Sequence, residues 1–315
     1  MTTAGEDLVL FDADPYRDAA LVLRDRFTVP PFTILNAAEG GWQRRKRNWL
    51  SLGIESELGR EVDTYGNRTS TDPVSRVIQD LGTTSVFDPV LCELAYRWWC
   101  PAGGIILDPF AGGSVRGIVA AMMGRDYIGI ELRPEQVTAN RMQAKRLEGL
   151  YPERAPTWIV GDADEELRNP DAHDFIFTCP PYGDLEVYCD DPRDLSNMSA
   201  KDFEDAYRRI IAKTATALRR DRFAVFVVGN YRDRRTSFLR DLSGLTIAAF
   251  QHAGMDYYAE VILGTSTASA GIRASASFAA GRKPIRTHQT VLVFVKGDWR
   301  RANAACEPFL SREGT

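Results

Sequence analysis

The 315-residue sequence has no apolar run long enough to span a membrane, only three histidines and no closely spaced cysteine pair. A membrane helix needs about 20 consecutive apolar residues, and the acidic stretch at 1–18 lacks the basic flank of a secretory signal. The five cysteines are odd in number and scattered. We therefore expect a cytoplasmic protein with reduced thiols and without a membrane segment, a disulfide framework or a metal site.

Acidic and basic residues are nearly balanced, with a formal net charge of −4, which argues against a surface that is basic throughout. Basic residues nevertheless cluster in three stretches, QRRKRNW at 43–49, RDRR at 232–235 and GRKPIRTH at 281–288. Such runs are often solvated helix faces, and they are also typical of phosphate-binding patches. Both interpretations stay open at this point.

From Gly104 onward, short β-rich apolar runs alternate with longer helical patterns, which predicts a parallel sheet with covering helices. The predicted strands are 104–108, 127–132, 158–162, 175–179, 223–229, 258–264 and 289–297, and the predicted helices are 113–123, 134–149, 200–219 and 237–253. No helical pattern separates the last two strands. We expect them to form an antiparallel pair at one edge, joined by a Ser/Ala/Gly-rich loop at 265–287.

The chain before Gly104 is less regular. Helical patterns cover 15–26 and 88–100, and the polar stretch at 60–73 is typical of a linker. The expected organisation is an N-terminal extension at 1–80, a main α/β domain at 81–300 and a tail at 301–315.

Four features fall at the ends of consecutive predicted strands, where open parallel sheets bind ligands. The small-residue turn DPFAGGS at 108–114 lets the backbone approach a ligand closely. Glu131 is placed to accept hydrogen bonds from ribose hydroxyls, and Asp162 from an adenine amino group. CPPY at 179–182 ends the fourth strand. Each feature alone is more often a turn or a cap, but their order in one sheet predicts a nucleoside-binding site.

These motifs resemble those of S-adenosylmethionine-dependent DNA amino-methyltransferases, which methylate N6 of adenine or N4 of cytosine. DPFAGGS is similar to the family's Asp-Pro-Phe-x-Gly-x-Gly cofactor motif, and CPPY is similar to its Asp/Asn/Ser-Pro-Pro-Tyr/Phe catalytic motif. TTSVFDP at 83–89 and THQTVLVFVKG at 287–297 resemble the family's methionine-end segment and closing strand, and 32–60 resembles the lead-in of phage-type modification methylases. The resemblance implies a Rossmann-like, seven-stranded methyltransferase sheet, mostly parallel with an antiparallel edge strand.

The resemblance also implies S-adenosylmethionine as the cofactor, without a metal. The residues that it assigns to cofactor binding are Thr84, Ser85, Phe87, Asp108, Pro109, Phe110, Ala111, Gly112, Gly113, Ser114, Glu131 and Asp162. One of them, Ser114, replaces the last glycine of the family motif.

Catalysis is assigned by the same resemblance to Cys179, Pro180, Pro181 and Tyr182. An exocyclic amino nitrogen is a poor nucleophile because its lone pair is delocalised into the ring, and hydrogen-bond acceptors can draw it toward tetrahedral geometry. In the family, the first motif residue and the first proline carbonyl are those acceptors, while the aromatic residue stacks on a flipped base for about 1–3 kcal/mol. Serine in the first position is commoner among cytosine-N4 enzymes, and Cys179 is its nearest isostere, which favours cytosine over adenine.

The expected partner is site-specific DNA, with contacts from Arg44, Arg45, Lys46, Arg47, Arg282, Lys283 and Arg286. The target sequence and any restriction partner are left unassigned, and recognition is expected from the N-terminal segment, 184–199 or 265–287. Two alternatives stay open: an RNA or protein amino-methyltransferase, and a catalytically silent nucleic-acid-binding module. Methylation at cytosine C5 is disfavoured because that family's cysteine follows a proline, whereas Cys179 precedes Pro180.

Overall fold

The computed structural model describes residues 28–55, 87–151, 154–183, 188–233, 235–265 and 270–306. The predicted helix at 15–26, the linker at 60–73 and the site residues Thr84 and Ser85 lie outside these ranges. The strands are β1 (Ile34–Asn36), β2 (Ile105–Asp108), β3 (Asp126–Glu131), β4 (Thr157–Val160), β5 (His173–Thr178), β6 (Leu218–Val228), β7 (Tyr231–Arg232), β8 (Leu239–Arg240), β9 (Asp256–Gly264) and β10 (His288–Lys296).

Helices connect most of these strands. They are α1 (Gly40–Ser51), α2 (Pro89–Trp99), α3 (Val115–Met122), α4 (Pro134–Arg146), α5 (Ala163–Glu166), α6 (Ala200–Ala217), α7 (Leu242–His252), α8 (Ala270–Gly281) and α9 (Trp299–Ala305). Short 3-10 turns follow at Glu148–Leu150 and Leu195–Asn197. None of the helices in the described ranges combines the length and apolar character that crossing a bilayer requires.

Eight strands form the main sheet, in the order β1-β9-β10-β6-β5-β2-β3-β4. Neighbours are parallel except at β10, which runs antiparallel to both β6 and β9. The α/β class, the mostly parallel sheet and the antiparallel last pair are therefore confirmed. The predicted count of seven strands is wrong, because β1 adds an eighth beside β9, with Ile34 opposite Ile262.

Two predicted elements between β6 and β10 differ from the structure. The helix expected at 237–253 begins at Leu242, after Asp241 caps it by accepting from Gly244 N (2.9 Å), since residues before it form the β7–β8 hairpin. The segment 265–287, expected to be a loop, contains α8. Its alanines explain the helix, because alanine has the highest intrinsic helix propensity.

The core occupies both faces of the sheet, as parallel sheets require. Alternate residues of β5 show this arrangement, since Phe175 and Phe177 pack on one face with α2 and α3, while Ile176 packs on the other with α6 and α7. All six residues of β5 are buried. The strand therefore delivers the segment that follows it, CPPY, to a fixed position at the rim.

Candidate active site

Asp108, the last residue of β2, is fully buried and organises the turn that follows it. The donors to its carboxylate are Arg116 Nε (2.5 Å), Tyr127 Oη (2.7 Å), Thr178 Oγ1 (2.5 Å) and Phe110 N (3.2 Å). Arg116 also donates to the carbonyls of Phe110 (2.7 Å) and Ala111 (2.8 Å). Burial opposes the charge on Arg116, but the Asp108 carboxylate outweighs it and raises the pKa of Arg116. The ionised pair thus holds the turn from behind.

The turn after β2 presents its backbone to a pocket beside β3. Gly112 adopts a positive φ of 49°, a conformation that favours glycine, and its N–H donates to Glu131 Oε2 (2.9 Å). Arg133 donates to the other Glu131 oxygen from its backbone N (3.0 Å) and Nε (3.2 Å). Burial raises the pKa of Glu131, and the bonds from Arg133 and Gly112 offset that only in part.

Asp162 completes the same side of the pocket at the end of β4. Its Oδ1 accepts from Asp164 N (2.8 Å), so the residue is also the N-cap of α5. We call the surface formed by Pro109, Phe110, Gly112, Gly113, Glu131 and Asp162 the glycine wall.

The opposite side of the pocket begins where β5 ends. Sγ of Cys179 lies 3.4 Å from Oη of Tyr182, and Oη accepts a hydrogen bond from Nε2 of Gln289 (3.0 Å), near the start of β10. Burial raises the pKa of Tyr182 well above its ordinary value, and the neighbouring Cys179 adds to the shift. The phenol is therefore neutral at physiological pH, and its proton can point to Sγ. We call the surface of 179–182 and Gln289 the thiol wall.

The two walls enclose a cavity of about 530 Å³, a size typical of small-molecule sites. The predicted site residues that line it are Phe87, Pro109, Phe110, Gly112, Gly113, Glu131, Asp162, Cys179, Pro180, Pro181 and Tyr182. Asp108, Ala111 and Ser114 are buried behind the glycine wall, and their cofactor contacts stay predictions. Ser114, which departs from the family motif, donates its buried hydroxyl to Oε1 of Gln143 in α4.

A third side of the cavity comes from the N-terminal segment. Gln43, Lys46 and Leu50 of α1 line it. Two carboxylates at α2 fasten α1, because Asp88 accepts from Trp42 Nε1 (3.0 Å) and Glu93, which is buried, accepts from Trp49 Nε1 (2.9 Å). The same carboxylates pair with Lys46 (3.3 Å) and with Arg45 Nε (2.6 Å).

The basic run at 43–49 is therefore divided between two faces of α1. Arg45 and Lys46 contact α2, whereas Arg44 and Arg47 are exposed. In the sequence, tryptophans and basic residues recur at helical spacing, and this pattern could have predicted the face of α1 that packs on α2.

Gln289 also lines the pocket, and the sequence does not predict this position. It lies inside the resemblance to the family's closing strand, but its link to Tyr182 depends on the position of β10 beside β6. Nothing in the local sequence indicates that contact. Among the described residues, no group of three or more His, Cys, Asp or Glu side chains could hold a metal ion.

Comparison with known proteins finds a family model that matches part of the chain. The model of a family described as DNA methylase matches residues 89–142, which run from α2 through the glycine wall into α4. The type II methyltransferase M.XycI of Xanthomonas campestris pv. cyanopsidis is 38% identical over 65 residues, which make up 21% of this chain and 21% of that protein.

Among solved structures, TrmN from Thermus thermophilus is 16% identical to this chain, with a TM-score of 0.45. The match covers 70% of this chain and 53% of the TrmN chain. A SAM-dependent methyltransferase from Methanosarcina mazei is 12% identical, covers 68% of this chain and 99% of its own, and has a TM-score of 0.44. The family match and the M.XycI match confirm the resemblance inferred from the sequence: this chain is similar to the DNA methylases of the N6/N4 type.

Proposed function

We propose that the protein is a DNA methyltransferase that moves a methyl group from S-adenosylmethionine to the exocyclic amino group of a flipped base, with cytosine N4 favoured over adenine N6. The observation that carries the proposal is the single cavity between the glycine wall and the thiol wall. It brings the nucleoside-type acceptors and the CPPY motif to one place, at the ends of neighbouring strands.

The glycine wall fits the nucleoside part of S-adenosylmethionine. Glu131 and Asp162 both line the cavity and supply carboxylate oxygens for ribose hydroxyls and an adenine amino group. The backbone at Gly112 has open space where a side chain would otherwise stand, since a Cβ there would meet no atom within 4 Å. When bound, S-adenosylmethionine supplies a methyl group on a positively charged sulfur.

The thiol wall fits the amino group that accepts the methyl. Sγ of Cys179 and the Pro180 carbonyl are the two acceptors proposed for the amino hydrogens, and the proline ring limits the backbone that aims that carbonyl. A thiol is a weaker acceptor than a carboxylate. Gln289 and Tyr182 compensate by fixing the position of Sγ through their hydrogen-bonded chain.

Basic residues near the thiol wall support DNA as the substrate. The Cβ position of Gly229, at the end of β6, lies 3.9 Å from the Tyr182 ring and 4.0 Å from Nη1 of Arg286. Arg286 is therefore in place to meet a phosphate close to the target base. We propose the same role for Arg282, Lys283, Arg44 and Arg47, while Arg45 and Lys46 are engaged with α2.

Mass spectrometry of nucleosides tests this function. DNA incubated with the protein and S-adenosylmethionine should yield N4-methylcytosine, and the Tyr182→Ala variant should yield far less, because loss of base stacking costs about 1–3 kcal/mol. RNA and a protein mixture serve as parallel substrates. N6-methyladenine alone would correct the base, methyl transfer only to RNA or protein would replace the substrate, and cofactor binding without transfer would indicate the silent module.

A further inference from the structure

We propose that the β7–β8 hairpin, residues 231–240, is a wedge that inserts Phe238 into the stack of a DNA duplex. The proposal rests on the proposed function and adds a residue that no cofactor or catalytic motif includes. Arg232, Asp233 and Arg235 of the RDRR run belong to this hairpin, and neither wall of the cavity includes them.

The hairpin begins next to the thiol wall. It follows directly from the end of β6, which is the neighbour of β5 in the sheet and runs parallel to it. Gly183, the residue after CPPY, has a φ of 53°, and a Cβ there would collide with the hydroxyl of Tyr231. The first residue of the hairpin thus packs directly on the turn that carries Tyr182.

The tip of the hairpin is unusually apolar for an exposed turn. Phe238 is 76% exposed and the adjacent Leu239 is 55% exposed. Phe238 is the most exposed of the large hydrophobic side chains in the described ranges. The two adjacent side chains form an apolar patch on a hairpin whose first residue packs on the turn after CPPY, and an apolar patch rimmed by polar residues is typical of an interaction site.

Asp233 holds the turn in a fixed shape. Its carboxylate accepts from Arg235 N (3.0 Å), Thr236 N (2.7 Å) and Arg240 Nη2 (2.7 Å), and its backbone N donates to the Phe238 carbonyl (3.0 Å). These bonds, with Arg240 first, lower the pKa of Asp233. A pre-formed tip loses little conformational entropy when it binds.

The charges around the tip select a nucleic acid rather than an apolar protein surface. Arg232, Arg235 and Arg240 flank Phe238 in the hairpin sequence, with one aspartate among them, in a chain whose net charge is −4. Arginines contact phosphates, and phenylalanine and leucine are the side chains that enter base steps and unstack them. A base that swings into the cavity leaves a gap in the duplex. Phe238 is placed to fill that gap.

The test compares duplex DNA of mixed sequence with the same DNA separated into single strands. The measurement is kcat/KM for methyl incorporation by the wild type and by Phe238→Ala, Phe238→Trp and Trp299→Ala. Trp299→Ala is the matched control, because Trp299 is an aromatic residue, is 43% exposed and follows β10, which runs antiparallel to β6 and so ends at the opposite rim of the sheet.

Phe238→Ala should lower kcat/KM on duplex DNA about tenfold, the effect of losing one aromatic–base stack, and leave it within about twofold on single strands, where no stack must open. Phe238→Trp and Trp299→Ala should both stay close to the wild type. An equal loss on both substrates would mean a structural role, and no loss on duplex DNA would also overturn the wedge.

Two other outcomes separate this proposal from the function on which it rests. If Phe238→Ala methylates duplex DNA normally but converts a dimer to a monomer in sedimentation, the tip covers a second copy of the chain, and the wedge is wrong while the methyltransferase stands. If the wild type methylates neither form of DNA, the proposed function itself fails.

Discussion

The glycine wall and the thiol wall of the pocket satisfy their polar groups in different ways. Behind the glycine wall, Asp108 accepts four hydrogen bonds inside the core and Arg116 makes three. The thiol wall has one short chain, from Gln289 through Tyr182 to Cys179, at the pocket surface. The first arrangement fixes the backbone that meets the cofactor. The second positions the side chains that meet the base through few hydrogen bonds, so stability and turnover should respond to different substitutions.

The largest expected effect is on the framework of the glycine wall. Asp108→Asn removes the charge that balances buried Arg116 and should lower the free energy of unfolding by about 3–5 kcal/mol. Urea denaturation measures it. Asp126→Asn is the control, since the Asp126–Arg154 pair (2.5 Å) is largely exposed and should cost about 1 kcal/mol or less. Equal losses in the two variants would contradict the contrast between the walls.

Glu131→Ala should weaken S-adenosylmethionine binding by about 1–3 kcal/mol, because polar partners are left unpaired. Calorimetry checks it, with exposed Glu135→Ala as the control. Burial raises the pKa of Glu131, so its carboxylate takes up a proton at a higher pH than an ordinary glutamate does. As the pH falls, the wild type should therefore begin to lose affinity for S-adenosylmethionine at that higher pH. The ionised carboxylate also costs folding stability; this cost declines as the pH falls through the raised folded-state pKa and vanishes below the pKa of the unfolded state. A pH profile that is identical in Glu131→Ala would remove the residue from the ribose role.

Tyr182→Phe should lower the free energy of unfolding by only about 0.5–1.5 kcal/mol, the net value of a hydrogen bond, because its hydroxyl belongs to the short chain of the thiol wall. The rate of methyl transfer should fall clearly although the protein stays almost as stable, since Cys179 loses its hydrogen bond with the Tyr182 hydroxyl. Thermal unfolding and methyl incorporation, measured on the same preparation, test the split. A loss of stability as large as that of Asp108→Asn would show that the hydrogen bonds of both walls contribute equally to the free energy of unfolding.

The smallest effect is expected from Cys179→Ser. Serine offers a hydroxyl acceptor in place of the thiol and restores the commoner Ser-Pro-Pro-Tyr motif, so methyl incorporation should stay substantial. If Cys179 were a nucleophile, serine would nearly abolish transfer, because a thiolate is far the better nucleophile at neutral pH. A folded but inactive variant, together with a covalent adduct of the parent on 5-fluorocytosine DNA, would sink the amino-methylation mechanism.

Strong local patterns made the parallel strands and their ends predictable from the sequence. Glu131, Asp162 and CPPY follow apolar runs, and these runs became β3, β4 and β5. The remaining features depend on residues far apart in the chain. Gln289 meets Tyr182 across 107 positions, and β1 has only three residues and is recognisable through its pairing with β9. The burial of Asp108 by Tyr127 and Thr178 likewise follows from tertiary packing.

The pairing of β1 with β9 has a consequence for how the pocket assembles. Ala37, Gln43, Lys46 and Leu50 line the cavity. They follow β1, which pairs with β9 through Ile34↔Ile262, and Ala37 N donates to the Gly264 carbonyl (2.8 Å). During synthesis, this early segment emerges long before its partner strand exists. Contacts over such separations form late and slowly. The attachment of β1 to the sheet is therefore expected to be among the last steps of folding, although α1 can already pack on α2, and a nascent chain that stops before β9 would carry the glycine and CPPY motifs without a closed pocket.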